Sequence, residues 1–388
     1  MTSHVFWGSP RQTQLDHNET LPAKLDLILE RLKIRERVKD HRVAIKMHLG
    51  FNVGYSMVHP VFVRRVVQAV LEGGGKPFVT DVAHSVATAH ERGYTMETLG
   101  CPLYPAAGID EKWFVRHPYE FRNLKEFEIG GAIEEATFLI DLSHIKGHPV
   151  TSWGAAIKNL ALGCMTGRTR GTMHDVSHYD PYFFKDKCPD EATRVAIRDS
   201  CPYGAIVDDK EDPDGLHLHH HQCNQCMRCQ KVANGAFEIQ RSAFMAFLEV
   251  NNIAAKLVLD TFEPGNATYI SIATHLTPVC DCFGFTGLPV LPDAGVFGSD
   301  DIVAVEQAAL DVTAKTPILE DNLPGMMEIV QREGHPWQWI HGPYKDPYEQ
   351  LELAEKLGLG SRNYDLIDVL PVTEPDFKQV THIQAAPN

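Results

Sequence analysis

Apolar residues in the first half of the chain fall into two alternating periods. Residues 43–49, Val-Ala-Ile-Lys-Met-His-Leu, form the short apolar run of a buried strand. Over 59–71 the valines at 61, 63, 66, 67 and 70 recur with helical spacing, which predicts an amphipathic helix. Gly73-Gly-Gly75 ends that helix, and 76–81 predicts the next strand. Residues 97–105 predict a short helix running into a loop. Phe138-Leu-Ile-Asp-Leu142 predicts a buried strand, and Gly154-Ala-Ala-Ile-Lys158 the opening of another helix. Strands separated by helices argue for an α/β fold, with mostly parallel sheets flanked by helices.

From about 182 to 239 the periodicity stops, and cysteine, proline, acidic and histidine residues dominate. Regular patterning then returns: a long helix over 243–262, a strand over 267–273, a short strand over 288–292 and a helix over 302–312. The chain divides into an N-terminal α/β region (1–181), a ferredoxin-like insertion held by metal (182–240), a second α/β region completing the body (241–320) and a docked tail (321–388). The tail carries Trp337, Trp339, Tyr344 and Tyr348 and a helix near 349–357.

The charge balance narrows the function classes. Lys and Arg number 36 against 51 Asp and Glu, a net charge of −15 over 388 residues. An acidic surface argues against a general nucleic-acid or anionic-membrane binder, while leaving room for a local basic pocket. The N-terminus lacks a basic segment followed by an apolar run. The sequence offers no stretch of about 18 apolar residues to cross a bilayer, so a cytoplasmic protein is expected. In a reducing compartment nine cysteines favour metal binding over disulfides.

Four of those cysteines carry the strongest signal. Cys223-Asn-Gln-Cys226-Met-Arg-Cys229 is the three-thiolate run of a bacterial ferredoxin, and Cys201-Pro-Tyr-Gly-Ala is the Cys-Pro end of a neighbouring half. In two-cluster ferredoxins the Cys-Pro thiolate ligates the other half's cluster. Cys201, Cys223, Cys226 and Cys229 therefore make one complete ligand set for one 4Fe–4S cluster. The second cluster's ligands are gone from both halves: Ile197, Arg194 and Glu191 stand where the first half's thiolates belong, and Ala233 where the second half's Cys-Pro belongs. Cys188 survives alone. Tetrahedral zinc is one alternative. A three-thiolate cluster with an open iron and a merely structural Cys201 is another. His217, His219, His220 and His221 precede Cys223 and are expected as a solvated loop, or else as groups that tune the cluster.

A second concentration follows the strand at 138–142, where His144, Lys146, His148, Thr151, Lys158 and Asn159 run into a helix. Open α/β sheets bind ligands beyond the carboxyl ends of their strands, and Lys46 and His48 end another strand. The lysines suit a small anionic substrate, and a histidine suits proton transfer. Cys280 and Cys282, two apart, would share one face of a strand. They are a candidate second metal or cofactor site, or two inert thiols. Ser299 or Asp300 is the expected N-cap of the helix that follows; Asp293 has no such role and is a candidate pocket carboxylate. Gly73-Gly-Gly-Lys76 is not a phosphate loop, because it runs from helix to strand.

Lys46-Met-His48, Ser143-His-Ile-Lys-Gly-His148, Ala156-Ile-Lys-Asn159, Met173-His174, the cysteine-rich insertion, Cys280-Asp-Cys282 and Pro292-Asp293-Ala-Gly, in that order, resemble the domain-of-unknown-function-362 family. The resemblance covers roughly 40–315 and implies an α/β body with a ferredoxin-like insert and an iron–sulfur cluster. It adds His174 to the expected substrate residues and implies no established reaction. Many members keep two full ferredoxin motifs, whereas this chain keeps one ligand set. Ile302 and Glu306 replace a proline and an aspartate usual near the last helix. Some family architectures look similar to the nickel-dependent lactate racemase group, but no residue set here establishes that cofactor. The reading that results is an iron–sulfur oxidoreductase with His48, His144, His148 and Asp293 as candidate catalytic groups. Its alternative is a non-catalytic electron carrier that docks on a redox partner, for which a substrate cavity would have no use. Self-assembly of the chain stays open.

Overall fold

The computed structural model describes residues 2–371 apart from 221, 224, 286, 326, 330, 331 and 343. Among them, eight strands form one sheet: β1 (Ser3–Gly8), β2 (Arg42–Lys46), β3 (Lys76–Asp81), β4 (Leu103–Pro105), β5 (Phe138–His144), β6 (Ala267–Ala273), β7 (Gly295–Ser299) and β8 (Tyr364–Asp368). Their order across the sheet is β8-β1-β7-β6-β5-β2-β3-β4. Only β7 runs antiparallel to its neighbours, so the sheet is mostly parallel.

Side-chain alternation sorts the strands between two cores. Val43, Ile45, Phe138, Ile140 and Leu142 face one side, where α1 (Leu21–Arg31) and α2 (Pro60–Glu72) pack. Ala44 and Leu139 face the other, against α3 (Ala156–Gly163), α4 (Arg241–Leu259) and α5 (Ile302–Thr313). This register leaves Lys46 and Asp141, paired across β2 and β5, on the α3 side at the carboxyl end of the sheet. α3 begins at Ala155, which has no capping side chain. Glu306 of α5 supplies the cap instead, its Oε1 accepting from the Ile157 amide at 2.7 Å.

α4 is the one described helix long and apolar enough to cross a membrane, contrary to the expectation of none. It packs inside the body with twelve of its residues buried. Beyond residue 320, α6 (Pro347–Lys356) packs on α4 and α5, and β8 then adds an edge strand beside β1. Residues 372–388 lie outside the described residues.

Several local expectations fail. Residues 288–292 form no strand, only a bridge from Leu291 to Leu276. Residues 97–105 end in edge strand β4 rather than a loop. The N-cap of α5 is Asp301, whose Oδ1 accepts from Val303 and Ala304 amides. Ser299 instead ties β7 to the His4 carbonyl, and Asp300 pairs with Arg37. Between 182 and 240 lie a helix (Glu191–Asp199), a small hairpin (Ile206–Asp208 with Leu216–Leu218) and a second helix (Arg228–Ala233). They share a small apolar core around Ile197, Leu218 and Phe237.

Candidate functional site

A crevice of about 580 Å³ opens beyond the carboxyl ends of β2, β3 and β5. Asp81, the last residue of β3, organises one wall. Its Oδ1 lies 3.1 Å from Lys46 Nζ, and its Oδ2 2.9 Å from His48 Nδ1 and 3.0 Å from the Leu49 amide. Burial pushes this carboxyl up, but Lys46 and His48 outweigh it and hold it well below the usual carboxylate range. Lys46 Nζ also donates to Asn159 Oδ1 at 2.7 Å and to the Met47 carbonyl, so its three hydrogens are spent inside the wall. Asn159 Nδ2 donates to Asp141 Oδ1 at 2.8 Å. Burial raises Asp141 to about 8. His48 Nε2 has no hydrogen-bond partner among the described residues.

The opposite wall is the turn at Cys280-Asp281-Cys282. It is a 3-10 turn rather than the expected strand, so alternation does not bring the two sulfurs together. The turn is clamped through Asp281, whose Oδ2 meets His144 Nδ1 at 2.9 Å and whose Oδ1 accepts from Lys146 Nζ at 2.8 Å. Lys146 gives its remaining hydrogens to the Ser56 carbonyl and hydroxyl. His144 Nε2 meets the Thr274 carbonyl at 2.7 Å. Burial opposes ionisation of Asp281, but Lys146 and His144 overcome it and hold its pKa far down.

Between the walls lies Lys158, from the first turn of α3. Its Nζ is 3.9 Å from Cys282 Sγ, and His148 Nε2 is 3.5 Å from the same sulfur. His148 Nδ1 accepts from the Val150 and Thr151 amides, which leaves the ring proton on Nε2, aimed at sulfur. Burial keeps His148 neutral, with its pKa well below the usual value. Cys280 is lowered, first by the hydrogen bond from the Cys282 thiol and then by the Lys158 charge; donating that bond raises Cys282. Burial alone would depress Lys158, but the two sulfurs raise it.

The expected residues divide accordingly. Lys46, His48, His144, His148, Lys158, Asn159, His174, Cys280 and Cys282 line the crevice. Lys146, Thr151 and Asp293 do not. Lys146 lies behind the turn, Thr151 Oγ1 donates to the Trp153 carbonyl, and exposed Asp293 accepts from the His275 amide. His144 and His148 are poor proton carriers, because the partners above occupy both rings. Sequence reasoning passed over Asp81, although it ends a strand just as Lys46 does. It also missed Asp281, Gln222 and the Arg170–Glu111 pair, whose Nη2 and Oε1 lie 2.9 Å apart.

Cys201, Cys223, Cys226 and Cys229 line a second, small pocket with Ile206, Leu218 and Ile239. The Ala205 amide donates to Cys201 Sγ and the Gln225 amide to Cys223 Sγ, each at 3.3 Å. Burial pushes Cys223 up to about 11 and Cys229 up to about 12. Lys345 Nζ donates to the Cys223 carbonyl at 3.0 Å. Among the described residues no three Cys, His, Asp or Glu side chains are gathered to hold a single metal ion, here or at Cys280 and Cys282. The histidines before Cys223 are no solvated loop: His217 stacks on His178 at 5.4 Å, and His220, 7 % exposed, packs edge-on against His178 and Tyr182. His221 lies outside the described residues.

The family model described as "Domain of unknown function (DUF362)" matches residues 43–311. The chain belongs to that family. No curated protein matches this DUF362 chain. Among solved structures it is similar to the lactate racemase apoprotein from Thermoanaerobacterium thermosaccharolyticum, at 8% identity and TM-score 0.33, over 70% of this chain and 50% of that one. A structural-genomics protein from Thermotoga maritima matches at 9% identity and TM-score 0.36, over 66% of this chain and 52% of that one. The chain thus spans about half the length of each, and likenesses this slight do not bear on the site.

Proposed function

We propose that this DUF362 protein is an iron–sulfur oxidoreductase acting on a small anionic substrate in the crevice. Cys201, Cys223, Cys226 and Cys229 would hold one 4Fe–4S cluster. Two observations fit that group: the four thiols line one pocket, and backbone amides point at two of the sulfurs, as stabilised thiolates require. When bound, such a cluster exchanges single electrons. The high values at Cys223 and Cys229 mean that ligation must release their protons.

One observation carries the enzyme reading: Gln222 lines the crevice while its neighbour Cys223 lines the thiol pocket. A docking electron carrier has no use for a cavity of this size beside its cluster. In the crevice His48 is the proton carrier, oriented by Asp81 at Nδ1, with its buried Nε2 unpartnered among the described residues. Lys158, with His174 lining the same crevice, would receive the anion, since Lys46 and Lys146 are already saturated.

The test is anaerobic purification with iron and sulfide analysis and an EPR spectrum, before and after Cys226→Ala. The expected result is about four irons and four sulfides per chain, lost with the variant. Zinc without iron would overturn the proposal.

A further inference from the structure

Among the described residues, one ammonium of the crevice is left without a carboxylate partner. Lys46 has Asp81 at 3.1 Å and Lys146 has Asp281 at 2.8 Å. Lys158 is only 8 % exposed, and no carboxylate of the described residues lies within ion-pair distance of it. Its Nζ lies 3.9 Å from the sulfur of Cys282. A buried ammonium without a counter-charge is costly, and the atoms placed to supply one are the two sulfurs. His148 aims a second N–H at the same sulfur. Both donors favour negative charge on this pair of sulfurs, which stand two residues apart at one turn and line the same crevice.

We propose that Cys280 and Cys282 form a redox-active dithiol that exchanges two electrons with a low-molecular-weight disulfide entering the crevice. The inference rests on the crevice being the substrate site, as read above, and names the class of one substrate. Cys280, half-buried and open to the cavity, attacks as thiolate. Its sulfur bonds to one sulfur of the disulfide, the S–S bond of that molecule breaks, and the first thiolate leaves. Cys282 then attacks Cys280 Sγ in the mixed disulfide. The Cys280–Cys282 bond forms and the second thiolate leaves, taking the proton that Cys282 gives up. The dithiol is oxidised by two electrons and the small disulfide is reduced to two thiols. Lys158 stays fixed beside the pair and balances its charge when reduced. Asp281, held from both sides by His144 and Lys146, keeps the turn in place through the cycle. This is a role for Asp281 that touches no substrate.

The experiment uses the anaerobically purified full chain and bis(2-hydroxyethyl) disulfide as probe. Samples are quenched in acid, alkylated and read by peptide mass spectrometry. The unsubstituted protein is expected to yield a peptide with an internal Cys280–Cys282 disulfide. Alkylation of Cys280 is expected to be at least about tenfold faster in the fold than in the urea-unfolded chain. Cys282→Ser should stop the reaction at a mixed disulfide on Cys280. Lys158→Met should slow adduct formation, with Lys158→Arg restoring much of it. Persistence of two free thiols, with Cys280 alkylated no faster than in urea, would overturn the proposal, and that readout needs no variant to fold. Repeating the assay on Cys226→Ala separates the two claims. A disulfide that forms there without iron leaves the dithiol standing whatever becomes of the cluster, and an iron-loaded unsubstituted chain that forms no disulfide leaves the cluster standing without the dithiol.

Discussion

Lys46 Nζ and Asp81 Oδ1 stand 3.1 Å apart at the ends of adjacent parallel strands, each about 1 % exposed. The same carboxylate holds His48 and the Leu49 amide, so one side chain fixes an ammonium, an imidazole and the exit of β2. Asp81→Ala strands the ammonium in the interior and should cost about 3–5 kcal/mol, measured by urea unfolding. Lys46→Met combined with Asp81→Leu removes both charges and should cost less than the sum of the two single changes.

Gly163 at the end of α3 makes room for that lysine. A Cβ there would stand against Lys46 Cε and Nζ, with Asp81 Oδ1 3.2 Å away. Lys46 cannot swing aside without losing its three acceptors. Gly163→Ala should therefore destabilise by about 1–3 kcal/mol, more than a helix-end substitution does elsewhere. Denaturation midpoints for Gly163→Ala and for Gly171→Ala, inside the helix Gly167–Asp175 where a Cβ would meet nothing within 4 Å, separate this clash from the substitution of a helical glycine as such.

Four strands were legible in the chain because they are short segments rich in apolar residues and buried on both faces, and they are the neighbours β6, β5, β2 and β3 in the sheet. The other side of the sheet was not legible. β7 is Gly-Val-Phe-Gly-Ser, in which Gly298 admits Ile28 of α1, and β1 and β8 mix polar with apolar positions because β8 is an edge. The site divides in the same way. Lys46, His48, Lys158 and Asn159 follow from strand ends and a helix start. Glu111 and Gln222 arrive from a loop and the insertion, and Arg170 from a short polar helix (Gly167–Asp175), where no apolar period points the way. Asp293 was misplaced because the lack of an N-cap role does not make a carboxylate a pocket group; its Oδ1 accepts from the His275 amide instead.

Two buried carboxyls set a pH dependence. Burial raises Asp141 from 3.8 and Glu306 from 4.5, each to about 8. In the fold both keep protons that the unfolded chain has already released. Their contribution to stability is complete below the unfolded values and is lost as pH climbs toward 8. Urea midpoints should fall between about pH 6 and about pH 8.5. Glu306→Gln keeps an acceptor for the Ile157 amide and should flatten that fall; an unchanged slope would assign it to other groups.

The cysteines of the insertion are not equivalent, and iron content should say so. Cys201 lines the thiol pocket and accepts from the Ala205 amide. Cys188 packs against the same small core but does not line the pocket, and its thiol points to the Asp190 carbonyl at 3.6 Å. On the four-thiolate reading Cys188→Ser leaves iron and sulfide unchanged, while Cys201→Ser lowers both and makes the colour bleach faster in air. A cluster held by Cys223, Cys226 and Cys229 alone would leave Cys201→Ser as iron-rich as the parent and free one iron to bind added cyanide. Equal losses in the two variants would mean that both cysteines serve folding of the insertion rather than ligation, because their surroundings give only one of them access to the pocket.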